Sequence, residues 1–393
     1  MKKVFLFSLF LVLGLVLSQC LPVWLGEAFL TAEKVAKTLM FVCLAFIMIN
    51  VGREFELDKT KWRSYAADYF IAMATAAVPW IMVAFYYMFL LPADLFGNWD
   101  AWKENLLLSR FAAPTSAGIL FTMLAAAGLR REWIYKKTQV LAIFDDLDTI
   151  LLMIPLQIFM IGFKLQLFAV VIVITFLLVI GWKKLGTIRL SQTWKSILFY
   201  AVCIVAVTES IYLLTKWMMG ADGAIHIEVL LPAFVLGMVM KTVHQHGNRD
   251  EKITGMISYL FMFLVGLSTP QFIGIDHGHR ITEAVGIIAA QPMPSWEVLV
   301  VHVIVVTLLS NLGKMFPLFF YRDRQLEERL ALSVGMFTRG EVGAGIIVIA
   351  MGYNLGGPAL IISVLSLVLN LLLTGGFVVI VKRLAQQAYG LKE

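Results

Sequence analysis

The sequence predicts an all-α membrane protein of about 12 transmembrane helices, arranged as inverted-topology repeats in which spans four and eleven are interrupted. Three observations predict it. Long apolar runs recur along the whole chain, basic residues crowd into alternate loops, and two Pro/Gly-rich breaks stand seven spans apart.

The apolar runs set the class. Of the 393 residues 60% are hydrophobic and only 15% charged, with a mean hydropathy of +0.85. Soluble domains carry roughly 25% charged residues, so this chain lacks the polar material to coat a water-exposed surface. Runs long enough to cross hydrocarbon fall at residues 4–23, 38–55, 66–91, 108–129, 138–162, 166–182, 196–215, 226–241, 253–273, 298–320, 330–353 and 359–381. They are continuous rather than alternating, which favours helices over a barrel.

Charge then sets the topology. Arg53, Lys59, Lys61 and Arg63 follow span two, Arg130, Arg131, Lys136 and Lys137 follow span four, and similar groups follow each even span. The opposite loops hold only Lys34, Lys37, Lys103, Lys164, Lys216 and Arg280. The positive-inside rule places both termini in the cytoplasm. The net charge of +6 therefore records orientation in the bilayer and gives no reason to expect a nucleic-acid partner.

Span four contains Ala113-Pro114-Thr115-Ser116-Ala117-Gly118 and span eleven contains Thr338-Arg339-Gly340-Glu341-Val342-Gly343-Ala344-Gly345. Proline and clustered glycine interrupt helical hydrogen bonding, and in lipid the freed groups must be satisfied internally. An odd offset makes the two spans antiparallel, as inverted repeats of spans three to five and ten to twelve require. Paired interrupted segments point to a transport site, although Pro/Gly kinks are also common in ordinary membrane helices.

Span five carries the chemistry. Asp145, Asp146 and Asp148 sit in a run otherwise apolar from 138 to 162. Asp145 lies ~12 Å from the span's edge at ~1.5 Å per residue. A central Asp costs about 2.5–3.5 kcal/mol to insert, so three acids face a cavity or partners rather than lipid. In such a place a carboxylate is held with a proton or with a cation, and the adjacent pair titrates as a unit. Protons and a small cation compete for the same oxygens, which is the physical basis of exchange.

Other charges fall into place around these. Lys314, in Ser310-Asn311-Leu312-Gly313-Lys314, needs an anion, and Asp145 is the natural candidate. Residues 145 and 146 point about 100° apart, so one can meet the lysine while the other faces an ion. Asp148 shares a face with Asp145 and either joins the lysine pair or lines a cytoplasmic funnel. Arg339 and Glu341 can pair or cap half-helix dipoles in an unwound stretch. Thr115 and Ser116 offer oxygens to a hard cation, or bond back to their own helix. Arg110, near a span edge, is expected to snorkel to the interface. Glu209, Glu228 and the histidines are expected at interfaces or in loops, with no metal set. Cys20, Cys43 and Cys203 read as buried small hydrophobes. Residues 1–20 read as a retained helix rather than a cleaved signal.

Four stretches carry a resemblance to a known family: Val51-Gly52-Arg53-Glu54-Phe55-Glu56-Leu57-Asp58, Ala113-Pro114-Thr115-Ser116, Phe144-Asp145-Asp146 and Arg339-Gly340-Glu341-Val342-Gly343, with Lys314 before the last. The chain resembles bacterial sodium/proton antiporters of the monovalent cation/proton antiporter superfamily, in the branch with two adjacent aspartates. The resemblance spans nearly the whole chain. It implies crossed broken helices in a core portion (about 66–162 and 298–381) moving in elevator fashion against a dimerisation portion (about 1–65 and 163–297). It implies a homodimer in a bacterial inner membrane, in contact with lipid. It also implies that Asp146 carries the ion and protons, that the Asp145–Lys314 pair opens on ion binding, and that Thr115 and Ser116 complete the site. No cofactor is expected, Na⁺ or Li⁺ and H⁺ being cargo, and no enzymatic activity. Two acids plus a lysine resemble the electrogenic branch. Leu147-Asp148-Thr149 departs from the family, which commonly has small or apolar residues there. Alternative readings are K⁺/H⁺ exchange, sodium-coupled symport of an organic anion, and a non-transporting membrane sensor or scaffold.

Overall fold

The computed structural model describes residues 2–26, 28–54, 62–161, 166–184, 186–219, 229–240, 248–268, 286–288, 290–352 and 355–390. In chain order the helices are α1 (Lys2–Leu25), α2 (Ala28–Glu54), α3 (Trp62–Phe89), α4 (Trp99–Ser109), α5 (Ala117–Ala126), α6 (Trp133–Ile161) and α7 (Gln166–Lys183). They continue with α8 (Trp194–Met219), α9 (Leu230–Val239), α10 (Asn248–Leu267), α11 (Trp296–Gly313), α12 (Leu326–Gly335), α13 (Glu341–Gly352) and α14 (Gly357–Tyr389). Among the described residues there is no β-strand, only an isolated bridge between Ile188 and Met240.

Also among the described residues, six helical segments are long and apolar enough to cross a membrane: Thr31–Arg53, Ser64–Phe89, Trp99–Ala126, Trp194–Met218, Trp296–Phe319 and Gly357–Tyr389. Shorter apolar helices run over Phe5–Leu21, Leu230–Val239 and Lys252–Leu267. α6 has 29 residues, ample length for a span, but Asp145, Asp146 and Asp148 lie at its middle. His226, Glu228, His244, His246, His277 and His279 lie outside the described residues, as does the stretch Phe55–Asp58.

The chain forms two compact units. One comprises Met1–Gly26, Lys61–Leu156 and Val265–Glu393; the other comprises Glu27–Thr60 and Gln157–Leu264. In the second unit α2 packs on α8 and α9. Arg53 at the end of α2 donates to Asn50 Oδ1 at 3.0 Å and to Gln192 Oε1 at 3.1 Å.

The first unit holds Thr115, Ser116, Asp145, Asp146, Asp148, Lys314, Arg339 and Glu341. Its centre is α14, which packs on α11, α12 and α1. Proline at the first turn of α14 suits the unpaired N–H positions there, and Gly390 closes the helix in the left-handed region with φ 62°. Asn98 starts α4 by accepting from the N–H groups of Asp100 and Ala101. Glu328 reaches back to accept from Gln325 N at 3.2 Å at the start of α12. α4 does not run on into α5. A 3₁₀ turn at Arg110–Ala112 and non-helical backbone at 113–116 separate them. α12 and α13 are likewise separated at 336–340.

One corner of this unit is closed by side chains. Asp68, 1% exposed, accepts from Lys137 Nζ at 2.8 Å and from the Tyr321 hydroxyl at 2.7 Å. The Tyr321 ring lies 4.9 Å from Lys137 Nζ and meets Trp133 edge-to-face. Burial and the neighbouring Asp68 hold the Tyr321 phenol well above its ordinary pKa, so it stays a donor. Tyr321 is also the one non-glycine residue at positive φ among the described residues, at 53°.

Candidate functional site

The site is assembled from α6, α11 and the two non-helical stretches. Asp145 projects from α6 and is 0% exposed. Its carboxylate accepts from Lys314 Nζ, at 3.0 Å to Oδ1 and 2.9 Å to Oδ2, and from the backbone N–H of Thr115 at 2.7 Å. Lys314 is the C-cap of α11 and is also fully buried. Buried charges of this kind persist only when paired and hydrogen-bonded, and both conditions are met here.

The stretch that presents Thr115 is held by the other stretch. Thr115 Oγ1 donates to the Met336 carbonyl at 3.1 Å, and Ser116 N donates to the Thr338 carbonyl at 2.9 Å. Backbone groups released where α4 stops are thus satisfied by those released where α12 stops. Arg339, 0% exposed, binds this junction together: it donates to the carbonyls of Pro114, Met336 and Ser310, each at 3.2 Å. Its partners are backbone carbonyls. Glu341 opens α13, and its side chain lies outside the described residues.

Gly340 is needed where the stretches touch. A β-carbon there would fall 2.7 Å from Ser116 Oγ and 2.7 Å from Ile119 Cδ1. Since the Ser116 side chain also caps α5 by accepting from Ile119 N, it cannot swing aside without uncapping that helix. Gly340→Ala is expected to destabilise the protein by about 1–2 kcal/mol, the usual cost of such crowding. Thermal unfolding in detergent checks this; a wild-type melting temperature in the variant would show that the two stretches do not touch this closely.

Asp146 follows Asp145 on α6, is 5% exposed, and lies within electrostatic reach of Lys314. Asp148, 2% exposed, lies near the Tyr69 hydroxyl of α3. Its backbone carbonyl accepts from Arg110 at 3.1 Å.

Arg110 corrects the expectation of a snorkelling side chain. It is 0% exposed, with its guanidinium carbon 4.4 Å from the centre of the Trp80 ring. Stacking on an aromatic face is a favourable berth for a desolvated guanidinium. Arg110 joins the 3₁₀ turn before the Thr115 stretch to both α3 and α6. Three buried bases (Arg110, Lys314, Arg339) thus accompany three buried acids (Asp145, Asp146, Asp148) in one unit. The sequence signal for Arg110 is an arginine four residues before Pro114; nothing in it specifies the depth of the residue or its partners.

A family model described as sodium/hydrogen exchanger, transmembrane, matches residues 2–384. No curated protein sequence matches the chain. Members of that family exchange cations for protons and are transporters rather than enzymes. The chain belongs to the transmembrane sodium/hydrogen exchanger family.

Proposed function

We propose that the protein is a secondary antiporter that exchanges Na⁺ or Li⁺ for H⁺, electrogenically, at Asp145 and Asp146. One observation carries the reading: the fully buried Asp145–Lys314 pair sits against the junction of two interrupted helices. A cation arriving at Asp146, with oxygens from Asp145, Thr115 and Ser116, brings positive charge against the Lys314 ammonium. Like charges at ~4 Å repel by about 4 kcal/mol at an effective dielectric of 20, so the lysine is pushed off Asp145 as the ion settles. Unloading reverses the order, and protons and the ammonium reclaim the carboxylates. Arg339 and Arg110 hold the surrounding backbone while this happens. Asp148 is assigned to coupling, through Tyr69 and the Arg110 contact. The wider frame of the proposal is a chain of twelve spans in inverted repeats. A core portion at about 66–162 and 298–381 works in elevator fashion against a dimerisation portion, in a homodimer of a bacterial inner membrane with both termini cytoplasmic.

Proteoliposomes containing the protein should lose an imposed pH gradient when Na⁺ or Li⁺ is added. Asp146→Asn should abolish that response, a fall of at least about a hundredfold, because the carrier oxygen pair loses its charge. An Asp146→Asn protein that transports like wild type would remove Asp146 from its role. Response to K⁺ alone would transfer the reading to potassium exchange. Flux of an organic anion with Na⁺ but no protons would favour symport.

A further inference from the structure

Behind the ion site, α11 and α14 are joined by a polar seam that the exchange mechanism does not use. Thr307 Oγ1 and Ser366 Oγ lie 2.9 Å apart. One turn further on, Asn311 Nδ2 donates to Asn370 Oδ1 at 3.0 Å. Both rungs join residues 59 apart in sequence, so the two helices run parallel and in register. Nearby, Tyr87 of α3 and Ser363 of α14 share a hydrogen bond of 2.7 Å. Thr307, Asn311, Ser366 and Asn370 are all buried, the last two completely.

Around the seam α11 is mostly Val, Leu and Ile. Apolar side chains in an apolar surrounding define the axial position of a helix poorly, because sliding exchanges one set of dispersion contacts for another. Hydrogen-bonded rungs define it well. A buried asparagine pair fixes register in coiled coils by the same logic. The stakes at this place are high. Lys314 is three residues beyond Asn311, and its 2.9 Å contact with Asp145 would not survive an axial slip of one turn, ~5.4 Å. Ser310, between the rungs, lends its carbonyl to Arg339, so the same turn of α11 also reaches the interrupted stretch.

We infer that the Thr307–Ser366 and Asn311–Asn370 rungs are register pins that hold Lys314 level with Asp145, making Asn311 and Asn370 positioning residues of the exchange site. The inference rests on the exchanger reading and adds residues to it. Asn311→Leu/Asn370→Leu removes the inner rung without leaving either amide unpaired. Thr307→Val/Ser366→Ala removes the outer rung, and Thr307→Ser keeps it. An ammonium held less firmly on Asp145 competes less with the arriving cation. The KM for the transported cation should therefore fall in both rung variants, about threefold to tenfold for interhelical bonds of this kind, with Thr307→Ser like wild type.

Cation-driven proton flux in liposomes measures KM and kcat for all four proteins. An unchanged KM in variants that transport overturns the inference, as does a loss of flux that merely follows the amount of folded protein. If the double-leucine protein does not accumulate, the KM of the outer-rung variant decides the matter in the same way. Absence of flux with Na⁺, Li⁺ or K⁺ in the wild type would fail the exchanger reading itself, a result distinct from either.

Discussion

Lys314→Met is expected to destabilise the protein by about 3–5 kcal/mol, the usual cost of leaving one member of a buried ion pair without the other. Asp145 is fully buried, and once the ammonium is gone its carboxylate keeps only the Thr115 N–H. The second half of the prediction is the more informative. Asp145→Asn/Lys314→Met should recover most of the loss, since removing both charges removes the desolvation problem along with the attraction. Thermal unfolding in detergent, followed by tryptophan fluorescence, compares the three proteins. Equal melting temperatures for the single and double variants would show that the pair is not the energetic unit described. Proton flux should nonetheless stay impaired in the double variant, because the charge that contends with the cation is absent.

Gly313→Ala is expected to have an effect of similar size by a different route. A β-carbon at 313 would lie 2.5 Å from both the N and Cα atoms of Pro79, so the obstacle is backbone rather than the end of a flexible side chain. Pro79 sits inside α3, where it has no N–H to bond and its ring stiffens the turn. Neither helix can yield locally. α11 must move off α3, at about 3 kcal/mol or more, the upper range for overpacking. Lys314 is the next residue and would move with it. Gly345→Ala, with nothing within 4 Å of the added methyl, is the matched control and should melt like wild type. If Gly313→Ala and Gly345→Ala melt together, the close α3–α11 crossing is wrong.

How much of this is legible in the sequence depends on the kind of signal. The pairing of Lys314 with Asp145 is readable because a lysine in an apolar run must find an anion, and few stand within reach. The non-helical backbone at 113–116 and 336–340 is readable because Pro114 and Gly340 act on the backbone they belong to. That the two stretches hydrogen-bond each other, Ser116 to Thr338 and Thr115 to Met336, is not readable. Such contacts depend on how distant segments cross, and local pattern carries no trace of it. Arg110 shows the same limit: proximity to a span edge suggests water, whereas the fold supplies Trp80 and the Asp148 carbonyl. For Arg339 the sequence offers the neighbouring Glu341, but its donors go to three carbonyls from separate segments. Hydropathy locates apolar runs well and helix ends poorly, since glycine and proline divide a continuous apolar stretch into α4 and α5 without altering its composition.

The connection between α11 and α12 leaves a last consequence. A side chain at φ 53° costs about 1 kcal/mol that asparagine or glycine would largely escape. Tyr321 tolerates the posture because its phenol is anchored on Asp68 and its ring is wedged between Lys137 and Trp133. The bend is thus maintained by tenancy rather than by backbone preference. Disturbing any of those three neighbours removes a support on which the strained turn at Tyr321 depends.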